Sequence, residues 1–119
     1  MLTRAAPGAL LLALTACGGG APTGVTPQRL PVVAGAERCL PLTTDVRPGP
    51  VQFDVQNDGG DPVRVVVTRA ADGTELVSAE VPATETVRLP LELGDGTSLL
   101  ACSRAGRPLG APVPFAPVD

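Results

Sequence analysis

The sequence predicts a small all-β domain, an antiparallel β-sandwich, and three observations carry that prediction. First, apolar and polar residues alternate in three segments. Val51, Phe53 and Val55 interleave with Gln52, Asp54 and Gln56; Val63, Val65 and Val67 with Arg64 and Thr68; Val87, Leu89, Leu91 and Leu93 with Arg88 and Glu92. A period of two marks a strand with one buried face. Second, clusters of Gly, Asn, Asp and Pro separate those segments at short intervals, as tight turns require. Third, no apolar stripe of helical period follows the first seventeen residues, and short strand-like runs recur to the end of the 119-residue chain. That spacing suits two packed sheets.

The elements follow in chain order. Residues 1–16, MLTRAAPGALLLALTA, place Arg4 before an apolar run at Leu10, Leu11, Leu12 and Leu14, and small residues close the segment. Those are the parts of an export signal. The run is shorter than the about 20 residues that span a bilayer. Leu14-Thr15-Ala16-Cys17 resembles the lipobox of bacterial lipoproteins. The resemblance implies cleavage before Cys17, a diacylglyceryl group on its sulfur and an acylated amino terminus. It also implies an exported protein attached to the cell membrane or outer membrane through that anchor. Each buried CH₂ of such chains contributes about 0.8 kcal/mol, so two or three chains hold where one does not. Gly18 stands where an Asp would favour inner-membrane retention in Gram-negative relatives of that family. Residues 17–29 are then the lipidated cysteine and a Gly- and Pro-rich linker without apolar periodicity.

Residues 30–119 form the expected sandwich domain. Beside the three strong alternating segments, Pro31–Ala34, Cys39–Thr43, Glu75–Val81, Thr97–Ser103 and Ala111–Phe115 read as further strands. Val66 breaks the alternation of its segment on the outer face. Pro90 removes a backbone donor, which places its strand at a sheet edge or a bulge. Asn57-Asp58-Gly59-Gly60-Asp61-Pro62, Ala71-Asp72-Gly73-Thr74 and Gly94-Asp95-Gly96 supply the turns.

If Cys17 is lipidated, Cys39 and Cys102 are the remaining cysteines, and an exported compartment permits a disulfide between them. One belongs to an early strand and the other to a late one, so a bridge would staple sheets or terminal strands. The rival is a thiolate metal pair assisted by Glu37 or Glu80. The C-x-x-C spacing of a redox-active pair is absent.

A second, looser resemblance spans roughly residues 39–115. An early cysteine, the run Pro48-Gly49-Pro50-Val51-Gln52-Phe53-Asp54-Val55-Gln56-Asn57 and the late Leu99-Leu100-Ala101-Cys102 are similar to cupredoxin-like domains of exported bacterial proteins, a pattern shared with immunoglobulin-like sandwiches. The copper site of cupredoxins needs two His, a Cys and usually a Met. This chain has no His, and its one Met is the first residue. The resemblance therefore implies a scaffold without that site.

Composition narrows function further. Without His there is no Ser-His-Asp or Cys-His catalysis and no imidazole-bound metal. A formal charge of -3 with 2% aromatic residues gives no footprint for nucleic acid. Asp54, Asn57, Asp58 and Asp61 offer oxygens to Ca²⁺, but their spacing is not that of an EF-hand and a solvated turn accounts for them. Ser98 and Ser103 lack a nucleophile motif. Arg104 and Arg107, flanking Gly106, read as a polar hairpin end, with a phosphate or acidic partner as the alternative. Glu75, Glu80 and Glu92 are expected to face water. The expectation is a non-catalytic, lipid-anchored envelope domain with a structural or binding role and no cofactor. Its partners would be the membrane, through Cys17, and an envelope protein. The alternative is an exported metal- or small-molecule-binding accessory domain on a cupredoxin-like scaffold.

Overall fold

The computed structural model describes residues 26–118, and Cys17 with the expected signal segment lies outside them. Among the described residues nine strands follow in order: β1 Gln28–Ala34, β2 Cys39–Pro41, β3 Gly49–Asn57, β4 Val63–Arg69, β5 Glu75–Val81, β6 Thr86–Leu93, β7 Ser98–Arg104, β8 Arg107–Pro108 and β9 Val113–Phe115. The described chain is all-β, as its alternation requires. Strand β1 starts at Gln28, inside the stretch expected to be linker, because Gln28 and Arg29 pair with Val51 and Gln52.

Two sheets form. One has the order β2-β1-β3-β6; the other has β9-β7-β4-β5, with β8 also paired to β7. The expected antiparallel arrangement holds for every pairing but one: β1 and β3 run parallel, Gln28 opposite Val51 through Ala34 opposite Asn57. The cause is the connection between them. After the antiparallel β1–β2 hairpin, residues 42–48 carry the chain back to the end where β1 began, so β3 climbs beside β1 in the same direction. Pro90 sits opposite Gln52 in β6, the edge strand of its sheet, where a missing donor leaves no ladder bond unmade.

The inward rows of both sheets supply one core. Val51, Phe53 and Val55 of β3 face Val63, Val65 and Val67 of β4, all at most 1% exposed. Phe53 and Phe115 bring the chain's two aromatic rings together edge to face, centroids 5.2 Å apart, a favoured quadrupole arrangement. A disulfide between Cys39 of β2 and Cys102 of β7 ties one sheet to the other, with Cα atoms 6.2 Å apart. Closing a loop of 63 residues stabilises by about 4 kcal/mol in the chain-entropy account.

The strand directions give the sandwich two distinct ends. At one end lie the start of β1, the turns after β4 and β6, and the last described residues, where Val118 N–H donates to the Val46 carbonyl. At the other lie the ends of β1, β3, β5 and β7 and the loops 35–38, 58–62, 82–85 and 105–106.

Candidate functional site

The second end holds the most distinctive chemistry. Asn57 closes the inward row that runs Val51, Phe53, Val55, and it is fully buried. Its Nδ2 donates to the carbonyls of Asp61 at 2.8 Å, Val81 at 3.1 Å and Pro82 at 3.3 Å. Its Oδ1 accepts from Gly59 N–H at 2.8 Å and from Arg104 Nη2 at 2.8 Å. One side chain thus satisfies the backbone of two turns where their groups would otherwise be buried without water.

Arg104 closes the inward row of β7, after Ser98, Leu100 and Cys102. Its guanidinium crosses to the other sheet: Nη1 donates to Gly35 O at 2.7 Å, Nη2 to Ala34 O at 3.4 Å, and Nε to Asp61 O at 3.4 Å. All these acceptors are neutral. Among the described residues the ion pairs are Arg29–Asp54 and Arg69–Asp72, and Arg104 belongs to neither. A Cβ at Gly59 would stand 2.6 Å from Arg104 Nη2, so a larger residue there would displace the guanidinium.

Arg107 lies directly opposite Arg104 across the β7–β8 pair. Opposed residues of an antiparallel pair share a face with Cβ atoms about 5 Å apart, so two like charges there repel. The two-residue connection is Ala105-Gly106, with φ of 52° and 78°. Left-handed backbone is natural for Gly106 and strained for Ala105. Beneath this hairpin opens a cleft of about 540 Å³, lined by Arg104, Ala105, Arg107, Pro108 and Leu109 together with Ala36, Glu37 and Asp61.

The remaining candidate residues separate. Cys39 and Cys102 are joined, as the exported reading expects, so neither is a thiolate metal ligand. The oxygen-bearing residues Asp54 and Asn57 divide by strand parity: Asn57 points into the core, whereas Asp54 lies on the outer face of β3, bonded to Arg29 at 2.8 Å and Gln52 at 2.8 Å. Burial works to raise the Asp54 pKa. The hydrogen bonds from Arg29 and Gln52 and the charges of Arg29 and Arg88 outweigh it, holding the carboxyl below its ordinary 3.8. No group of three His, Cys, Asp or Glu among the described residues is placed to hold a metal. Ser98 is buried at the opposite end from Ser103, and Glu75, Glu80 and Glu92 are exposed. No helix among the described residues is long and apolar enough to cross a membrane.

The part played by Asn57 was present in the sequence as parity, since it continues the row Val51, Phe53, Val55. Its partner Arg104 was not, because the residues it meets are 43 to 70 positions away. No family model matches the chain, and no curated protein matches it.

Proposed function

We propose that the protein is a lipid-anchored cell-envelope lipoprotein whose non-catalytic, disulfide-stapled sandwich presents a binding surface away from the membrane. The observation that carries this reading is the agreement of Arg4, the leucine run and Leu14-Thr15-Ala16-Cys17 in one short segment. The fold is compatible with it. The stretch from Cys17 to Gln28 reaches at most about 40 Å when extended. It enters the sandwich at the end opposite the Arg104 cleft, and β1 spans the roughly 20 Å between the two ends. An anchored domain would therefore have its linker attached at the end opposite the cleft. Replacing Cys17 with Ala tests the anchor: the variant should leave the membrane fraction for the soluble one, while equal membrane retention would contradict it.

A second reading, a small-molecule-binding accessory domain on a cupredoxin-like scaffold, is favoured by the cleft and by strand order. An immunoglobulin domain pairs its first, second, fifth and fourth strands in one sheet. Here the first, second, third and sixth share a sheet, so of the two resemblances we carry forward the cupredoxin-like one. The metal form of this reading has no support in the site, since its thiols are consumed in the disulfide.

A further inference from the structure

The cleft beneath the β7–β8 hairpin is lined by four charged side chains, Arg104, Arg107, Glu37 and Asp61, and Asp61 adjoins Arg104, whose Nε donates to its carbonyl. None of the four forms an ion pair with another, the described ion pairs lying elsewhere. Arg104 is fixed by its carbonyl acceptors and the Asn57 amide, so it cannot swing toward Glu37 without breaking the turn network. Its charge is left uncompensated by any carboxylate, and Arg107 is held opposite it by a strained hairpin despite their repulsion.

We infer that this cleft binds a zwitterion of amino-acid or short-peptide size. The ligand's carboxylate would meet Arg107 beside Arg104, and its ammonium group would meet Glu37. A guanidinium with a free fork is suited to a carboxylate, and Arg107 keeps all five donors, since none is used within the described residues. The volume of about 540 Å³ falls within the range of small-molecule sites. A simple anion would leave the Glu37 carboxylate beside it without a partner, which disfavours a ligand carrying negative charge alone. The inference rests on the small-molecule reading above and is independent of acylation at Cys17.

Calorimetric titration of the whole chain with dialanine, succinate and 1,4-diaminobutane tests it. Dialanine should bind at least about tenfold more tightly than either single-sign probe, and Arg107→Gln and Glu37→Gln should each weaken it by about tenfold. Both side chains are exposed, so these variants should keep the wild-type melting temperature, unlike changes at Arg104. Succinate binding as tightly as dialanine would overturn the zwitterion assignment while leaving a small-molecule site. Binding by none of the three would overturn both, as would dialanine affinity unchanged in the two variants.

Discussion

Asn57 and Arg104 bear on stability out of proportion to their number. Asn57 is enclosed by carbonyls of two turns and by a cation, so its replacement leaves several buried groups without partners. Asn57→Ala should lower unfolding free energy by about 2–4 kcal/mol, read by denaturant titration. An equal effect at the neighbouring exposed Asp58 would show that the network is not the cause. Ala105 is the opposite case, a residue whose backbone is less comfortable than it need be. Asn tolerates the left-handed region and precedes Gly106 in the preferred hairpin turn. Ala105→Asn should therefore raise stability by about 0.5–1 kcal/mol, visible as a higher melting temperature. A lower one would mean that the Ala105 side chain is needed on the cleft wall.

Strands were legible where alternation was clean. Val51–Gln56, Val63–Thr68 and Val87–Leu93 all fall within strands, and the turn around Gly73 forms with Gly73 at φ 75°. Strand β8 was not legible, because two residues carry no period, and β2 ends sooner than the run Cys39–Thr43 suggests. The parallel β1–β3 pair was also hidden, since strand direction depends on the path of residues 42–48 and not on the alternation of either strand. On the outer face of β3, Asp54 links the sheet to the acid limb of stability. Its folded pKa lies below the unfolded value of 3.8. Its contribution is thus complete above that pH and is lost as pH falls through the folded pKa. Arg29→Ala should flatten this loss of stability below about pH 4, measured by urea unfolding across pH. An unchanged acid limb would assign it to other carboxylates.

At the scale of the molecule, the nine strands among the described residues enclose a core made mostly of Val and Leu with a single aromatic contact. A domain of this size is stabilised only marginally by burial alone, which gives the Cys39–Cys102 bridge its weight. Replacing both cysteines by Ala should cost about 4 kcal/mol, and denatured but unreduced wild-type protein should show no titratable thiol from this pair. The same bridge joins the two sheets close to the cleft, Cys39 pairing with Ala34 at the end of β1; the proposed function adds an anchor and linker at the opposite end. The fold class and the staple could be anticipated from alternation and cysteine placement, whereas the cleft could not, because it is built by loops far apart in sequence. The claim on which that anchor depends is acylation at Cys17. Intact mass spectrometry of the mature protein from its native envelope tests it most directly. The account predicts a chain beginning at Cys17 and carrying diacylglyceryl mass on that residue; a mature chain with an unmodified Cys17, or one that retains residues 1–16, would contradict it.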